Sequence, residues 1–184
     1  MSVKTKLRPM TIEEYLDGEQ RSNVRHELVG GQVYAMVGAS NLHNLLAGTL
    51  YTLLRGHVKK PCQVFMSDMK VRVDDDFFYP DVVVACKHQT DVFYYVSEPV
   101  VIIEVLSPGT ERQDRLEKRL AYQRLGPLQE YVLVAQDKIH VEVYRRTPDG
   151  WELEQFDDRD ELRLMALDFT VPVVEIYKDV MDSV

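Results

Sequence analysis

Two carboxylate residues stand inside apolar runs of this chain. Asp81 opens the run at 82–85, Val-Val-Val-Ala, and Glu104 lies within the apolar run at 100–106. Short β-branched runs bounded by proline and turn residues predict buried strands. A buried carboxylate costs free energy unless a cation, a hydrogen-bond network or a proton compensates it. The fold must therefore place a cation, a hydrogen-bond network or a proton at each of the two carboxylates.

The two acids allow two interpretations. Carboxylates that converge from adjacent strands form a set of oxygen ligands for Mg²⁺ or Mn²⁺. Alternatively, Asp81 caps its strand and Glu104 pairs with an arginine or a lysine. Buried acids mark functional sites only statistically, so the residues alone leave both interpretations open.

Length and composition predict one globular domain over residues 1–184. The chain has 184 residues, of which 45% are hydrophobic, and this suffices for a substantial core. No run approaches the ~18 apolar residues that a membrane span requires, and no apolar secretory segment follows the basic N-terminus. Cys62 and Cys86 have no CxxC partner, so we expect neither a disulfide nor a zinc site. Together these features predict a cytoplasmic protein, in a reducing compartment, without a membrane partner.

The net charge of −8 argues against a protein that coats nucleic acid, because such affinity comes from neutralising phosphates with Lys and Arg. An enzyme with a local basic patch is still compatible with this charge. The segment 111–124 carries five basic residues against three acidic ones. Interleaved charge of this kind is usually a solvated helix face.

The N-terminal half predicts helices and strands in alternation. Thr11 and Glu14 form a capping box that begins a helix. The Gly30-Gly31 loop joins segments 24–29 and 32–37 into a hairpin that carries Glu27, for which an ordinary solvent-facing position is the alternative. The remaining predictions are a helix from Ser40 to about His57 with His43, Ala47, Leu50 and Leu54 on one stripe, strands at 63–66 and 69–73, and a solvated acidic turn at 74–76.

The C-terminal half predicts a strand, a helix and a strand, followed by a hairpin. A helix runs from Glu111 to about Leu125, with Leu116 and Leu120 directed toward packing. Spacings of three and four residues place Glu111, Arg115, Lys118 and Tyr122 on one face. Segments 139–145 and 151–156 form an antiparallel hairpin, and a short helix after Pro172 closes the chain.

The order of these elements resembles the PD-(D/E)XK nuclease superfamily, and several segments resemble its Uma-two endonuclease family. The matching segments are His26 to Gly31, Tyr79-Pro80-Asp81, Ile103 to Pro108, Glu117-Lys118 through Tyr122, and Glu130-Tyr131. The resemblance covers residues 10 to 178. It implies an α/β (α+β) fold with a restriction-endonuclease-like core, in which helices flank a mixed central sheet. The N-terminal hairpin and the C-terminal antiparallel hairpin are additions to that core.

The resemblance also implies a site and an activity. The third position of the Glu-X-Lys element is Leu106, and the family pattern moves the lysine to Lys118 on the next helix. The implied activity is hydrolysis of DNA phosphodiester bonds with Mg²⁺ or Mn²⁺. The implied roles are metal binding by Asp81, Glu104 and the Val105 carbonyl, catalysis by those two acids with Lys118 and Glu27, and phosphate or supporting contacts by His43, Tyr122 and Arg115.

Three alternative interpretations stand beside the nuclease hypothesis. The chain could be a nuclease-fold module that binds or assembles without cleaving, because a fold does not fix a function. The two acids could hold an ion that only stabilises the fold. Lys118 could be a surface lysine. Nucleases of this kind often cut both strands as dimers, so we also predict a homodimer, for which the sequence places no interface.

Overall fold

A mixed sheet forms the centre of the protein. The computed structural model describes residues 8–87 and 94–181. Its strands are β1 (His26–Val29), β2 (Gln32–Ala35), β3 (Gln63–Met66), β4 (Lys70–Val73), β5 (Asp76–Phe78), β6 (Val82–Ala85), β7 (Tyr95–Val96), β8 (Val101–Val105), β9 (Glu130–Val134), β10 (His140–Thr147), β11 (Gly150–Asp157), β12 (Glu161–Leu164) and β13 (Phe169–Pro172). Its helices are α1 (Ile12–Arg21), α2 (Asn41–His57), α3 (Arg119–Tyr122) and α4 (Val173–Tyr177), with a π-helical segment at Gln113–Lys118 and a 3₁₀ turn at Met165–Leu167.

The central sheet has the strand order β11-β10-β9-β8-β6-β3, and a second sheet has the order β2-β1-β5-β4-β7. Strands β8 and β9 are parallel, whereas β6 and β8 are antiparallel. The helical connection from β8 to β9 therefore confirms the predicted strand, helix and strand. Strands β6, β8 and β9 are buried along their whole length, as their uninterrupted apolar runs predict.

Two layers cover the central sheet. Leu46, Leu50 and Leu54 of α2 pack against Ile103 and other residues of one face. On the opposite face, Tyr122 of α3 packs with residues of β4 and β5. Complete burial of such side chains stabilises the fold by about 1.5–3 kcal/mol each. The helix that follows β8 thus lies between the central sheet and the second sheet.

The predictions for α1, the β1–β2 hairpin and the start of α2 are confirmed, whereas Asp76 of the predicted acidic turn begins β5. The Thr11 side chain accepts a hydrogen bond from the backbone N–H of Glu14, whose carboxylate accepts one from the Thr11 N–H, and these bonds begin α1. Strands β1 and β2 form the predicted hairpin. Gly30 and Gly31 have φ angles of 57° and 75°, a region that favours glycine. The Ser40 hydroxyl caps α2.

The helix after β8 differs from its prediction. It becomes π-helical at Gln113–Lys118 and ends in α3 at Tyr122, instead of continuing to Leu125. The prediction for Leu116 and Leu120 was wrong, because their exposed fractions are 47% and 57%. The i→i+5 hydrogen bonds of a π-helical segment widen its turns. The residues that follow are therefore rotated about the helix axis relative to the sheet.

The C-terminal region confirms the predicted hairpin, which β10 and β11 form over eight paired positions. Two features were not predicted. Strand β7 adds to β4 in parallel, and β12 pairs with β13 before α4. No helix within residues 8–87 and 94–181 is long and apolar enough to cross a bilayer.

The prediction for the cysteines was wrong. Cys62 and Cys86 form a disulfide. Gln63 pairs with Ala85 in the antiparallel β3–β6 ladder, so the two cysteines stand at the next opposed position. The absence of a CxxC motif gave no indication of this, because the ladder register brings the residues together across 24 positions. Cysteine usage therefore gives no support to a reducing compartment.

We expect the disulfide to stabilise the protein. It closes a long loop, and replacement by Cys62→Ala with Cys86→Ala lowers the free energy of unfolding by about 2–4 kcal/mol. Urea denaturation of the variant and of the wild type, each with and without reductant, measures the difference. Alkylation of two thiols in the native, unreduced protein would contradict the assignment.

Glu130 is a buried acid with a structural role. Its carboxylate accepts hydrogen bonds from Arg145 Nε at 2.9 Å and from the backbone N–H groups of Met165 and Ala166 at 2.9 and 3.2 Å. We predict that Glu130→Ala destabilises the fold by about 3–5 kcal/mol, because it leaves a largely buried arginine uncompensated. Glu154→Ala removes an exposed acid from the same arginine and costs at most about 1 kcal/mol. Equal thermal melts of the two variants would contradict this role.

Candidate active site

Asp81 and Glu104 stand opposite each other in the central sheet. Val82 pairs with Ile103 in the β6–β8 ladder, so the two acids occupy the next opposed position. Directly opposed residues point to one face, with Cβ atoms about 4.5–5.5 Å apart. Val83 and Ile102, which share this face, lie in the core beneath α3. The Glu104 carboxylate therefore points toward the helix that follows β8, where it meets Lys118 and Tyr122.

Two groups hold the Asp81 carboxylate. The Val105 backbone N–H donates to Asp81 Oδ2 at 2.7 Å. His43 Nε2 lies 3.2 Å from the same oxygen. Burial alone lowers the pKa of His43, but its hydrogen bond to Asp81 and the charge of that acid outweigh burial and raise the pKa overall. Both contacts of the Asp81 carboxylate thus fall on a single oxygen, and one of them comes from the neighbouring strand β8.

Lys118 is a buried lysine, 5% exposed, at the centre of an acidic cluster. Its Nζ lies 3.0 Å from Glu104 Oε1, 3.1 Å from Glu27 Oε1 and 3.3 Å from Asp114 Oδ1. Glu104 belongs to the central sheet and Glu27 to the second sheet, so the ammonium joins the two sheets. The alternative of a surface lysine is wrong, and Glu27 is likewise buried, not solvent-facing.

The cluster shifts the proton affinities of its members. Burial raises the pKa of Glu104 well above its ordinary value, against the opposing charge of Lys118. Burial also raises the pKa of Asp114. For Lys118, burial favours the neutral amine, but Glu104, Glu27 and Asp114 together outweigh it and hold the pKa well above its ordinary value. Lys118 therefore stays an ammonium ion at neutral pH.

Further hydrogen bonds orient the acids. Tyr122 Oη donates to Glu104 Oε1 at 3.1 Å. Burial, followed by the charge of Glu104, raises the pKa of Tyr122 well above its ordinary value, so the phenol keeps its proton. The backbone N–H of Tyr79 donates to Glu27 Oε1 at 3.1 Å, and the Gln113 amide donates to Glu27 Oε2 at 3.4 Å.

The structure brings most of the predicted residues together. Asp81, Glu104, Val105, Glu27, Lys118, His43 and Tyr122 meet in the contacts given above. Arg115 does not share the face of Lys118, because its guanidinium pairs with Glu111 and Glu142.

Asp114 was missed as a member of the site. It is 1% exposed, and its Oδ1 accepts no well-aligned hydrogen bond within the described part of the chain. The available signal was its spacing, because Asp114, Lys118 and Tyr122 follow one another at intervals of four residues.

Two clefts open onto this cluster. A cleft of about 890 Å³ is lined by Asp81, Glu104, Val105, His43 and Lys118, among others. A neighbouring cleft of about 420 Å³ is lined by Glu27, Tyr34, Gln113 and Lys118, among others. Lys118 lines both, so a ligand in either cleft reaches the lysine.

The residues present fit a divalent cation with few protein ligands. Within residues 8–87 and 94–181, no three Asp, Glu, His or Cys side chains are arranged to enclose a metal ion. Mg²⁺ is commonly held by one or two carboxylates together with waters and substrate phosphates. The hydrogen bonds described above fall on one oxygen of each acid, Asp81 Oδ2 and Glu104 Oε1. Two opposed carboxylates beside an open cleft agree with such a partial ligand set.

A mixed sheet with two opposed acids is typical of the restriction-endonuclease-like class of nuclease folds, and in this protein the lysine lies on the helix that follows. A crystal structure of a putative nuclease belonging to DUF820, from Anabaena variabilis, shares this fold with a TM-score of 0.77. The two chains are 18% identical, and the match covers 92% of this chain and 98% of that one.

The family follows from the sequence comparisons. The family model described as "Putative restriction endonuclease", Uma2, matches residues 12–174, so the chain belongs to this family. The chain is similar to two proteins of Synechocystis sp., "Uncharacterized protein slr1290" and "Uncharacterized protein sll1609". The identities are 35% over 172 residues and 32% over 155 residues. The first match covers 90% of both chains, and the second covers 81% of this chain and 88% of the relative.

Proposed function

We propose that this protein is a divalent-metal-dependent endonuclease that hydrolyses phosphodiester bonds of DNA. The observation that carries the proposal is the opposed pair of Asp81 and Glu104 at an open cleft, with Lys118 Nζ 3.0 Å from Glu104. Family membership agrees with nuclease chemistry.

Asp81, Glu104 and the Val105 carbonyl would hold Mg²⁺ or Mn²⁺. When bound, such an ion lowers the pKa of water and offsets charge on the reacting phosphate. Tyr122 and Lys118 fix one oxygen of Glu104, and His43 with the Val105 N–H fixes one oxygen of Asp81. These contacts hold both carboxylates in place before a ligand arrives, as supporting contacts around a metal site do.

Lys118 supplies the positive charge that acts on the substrate. Three buried carboxylates keep its ammonium charged, and it lines both clefts. Its N–H groups would donate to a non-bridging phosphate oxygen or to the attacking water. Glu27 holds the lysine from the second sheet, at 3.1 Å. A ligand carboxylate binds metal in its deprotonated form. Metal affinity therefore falls as the pH is lowered toward the raised pKa of Glu104.

A plasmid-nicking assay tests the proposal. Supercoiled DNA incubated with the protein and Mg²⁺ or Mn²⁺ is expected to gain nicks, and EDTA is expected to stop the reaction. A parallel pair of reactions on single-stranded DNA and single-stranded RNA of the same base sequence measures preference for the sugar. Failure to cut any DNA in either metal would overturn the proposal.

The second candidate function is a binding or assembly module of the same fold. One observation favours it: Lys118 already pairs with three acids of the cluster within the protein, without any bound cation. Metal binding without nicking on any DNA would favour this module. The homodimer stays a prediction, and light scattering that gives the mass of one chain would contradict it.

A further inference from the structure

Tyr34 lies beside the acidic cluster on an exposed edge strand. It pairs directly with Glu27 in the β1–β2 ladder, so the two side chains share one face of the hairpin. Glu27 in turn lies 3.1 Å from Lys118 Nζ. Strand β2 is the outermost strand of its sheet. An aromatic ring therefore stands next to the groups to which we assign the chemistry.

The two faces of this hairpin differ. Leu28, on the other face, packs in the core with Tyr15 and Phe77. Tyr34 is 51% exposed and lines the smaller cleft together with Glu27 and Lys118. Val29, Ala35, Met36 and Val37 line the same cleft, and Val37 is 87% exposed. This cleft therefore has an apolar, aromatic wall beside its catalytic residues.

The charge of the two clefts opposes a duplex-binding surface. The charged side chains that line them are two cations and five acids, namely Arg25 and Lys118 with Glu27, Asp81, Glu104, Asp114 and Glu117. Arg25 already pairs with Asp68, and Lys118 with its three acids. Duplex DNA is held chiefly by Lys and Arg contacts to many phosphates. Single strands offer unstacked bases, which stack on aromatic side chains.

We infer that the substrate is single-stranded or locally unpaired DNA, and that a base beside the scissile phosphate stacks on Tyr34. This inference rests on the proposed function and names the substrate class of the same site. Tyr34 is then a specificity-determining residue. The apolar wall binds bases, and Lys118, beside the cation that Asp81 and Glu104 would hold, meets the phosphate.

Fluorescence measurements of binding test this inference. The probe is a short single-stranded oligonucleotide that carries 2-aminopurine, with its duplex as comparison, both with Ca²⁺, another cation that carboxylates bind, in place of Mg²⁺ or Mn²⁺. We expect tighter binding of the single strand and quenching of the 2-aminopurine emission. Tyr34→Ala is expected to weaken this binding about 10-fold and to remove the quenching, because stacking contributes about 1–3 kcal/mol per base. Tyr34→Trp retains both effects.

Val33→Ala is the matched control, since Val33 lies on the same strand, is 42% exposed and points to the opposite face. It is expected to bind like the wild type. Equal binding of single strand and duplex, or an unchanged Tyr34→Ala variant, would overturn the inference. A wild type that is a dimer, with Val33→Ala and Tyr34→Ala variants that are both monomers, would also overturn the inference. Strand β2 would then be an interface between two copies of the chain.

Cleavage separates this inference from the proposed function. A protein that nicks duplex plasmid in Mn²⁺ but does not bind the single strand overturns the substrate class alone. A protein that cuts neither substrate and binds neither probe overturns both. With Mn²⁺, the single strand is expected to be cut at least about 10-fold faster than its duplex, because its unpaired bases can stack on Tyr34.

Discussion

Asp81→Asn is expected to lower DNA cleavage by roughly 10³-fold while the fold persists. The amide keeps the size of the side chain and still accepts a hydrogen bond from the Val105 N–H, but it removes the negative charge that would bind the cation. Metal ions contribute several kcal/mol to such reactions, and about 1.4 kcal/mol corresponds to each factor of ten in rate. The measurement is the rate of plasmid nicking under enzyme excess.

Asp74→Asn is the matched control for this variant. Asp74 is an exposed acid in the β4–β5 turn that pairs with Arg124 at 3.1 Å, and the chemical change is identical. Its nicking rate is expected to equal that of the wild type. An Asp81→Asn protein that nicks DNA as fast as Asp74→Asn would show that Asp81 binds no essential cation.

Lys118→Met is expected to impair both stability and cleavage. The substitution leaves Glu27, Glu104 and Asp114 buried without their shared cation. Removal of one partner from a buried ion pair costs about 3–5 kcal/mol, which lowers the melting temperature of a chain of this size by on the order of 10 °C. Cleavage is expected to fall by at least about 10²-fold, because the donor to the phosphate or the water is lost. Thermal melts and nicking rates measure the two effects.

The pH dependence of the Lys118→Met variant gives a second readout. Acids whose pKa is raised in the folded state bind more protons in that state than in the unfolded state. The free energy of unfolding therefore decreases as the pH rises and increases again as the pH is lowered. The variant is therefore expected to regain stability as the pH is lowered toward the raised pKa values of Glu104 and Asp114. Lys178→Met, at an exposed pair with Glu175, serves as the control and should melt like the wild type. Equal melts of the two lysine variants would contradict the cluster.

The sequence contains enough information to predict the centre of the site. The apolar runs around Asp81 and Glu104 require buried strands, and a strand, helix and strand order requires a parallel pair on which a following helix packs. The choice of Lys118 came from the family resemblance, and its contact with Glu104 agrees with a helix that begins shortly after the strand that carries the acid. The capping residues Thr11 and Ser40 fixed two helix starts through local hydrogen bonds alone.

The remaining features depend on contacts that are distant in the sequence. The burial of Glu27 follows from the packing of the second sheet against the central sheet, which no local pattern encodes. Asp114 lies in the cluster and Arg115 pairs with Glu142, whereas the spacing of Glu111, Arg115, Lys118 and Tyr122 had placed Arg115 beside Lys118. Ladder register likewise decides the position of the two cysteines. The register of the β3–β6 ladder and the orientation of the helix after β8 are therefore the two features that the sequence did not predict.

The most direct test of the account is calorimetric titration of Mn²⁺ into the wild type and into Asp81→Ala. The account predicts saturable binding to the wild type and none to the variant, with thermal melts in the absence of metal that show both proteins folded. Binding that is equal in the two proteins would place the metal elsewhere. A folded wild type that binds no metal at millimolar concentration would contradict the central claim that Asp81 and Glu104 form a cation site.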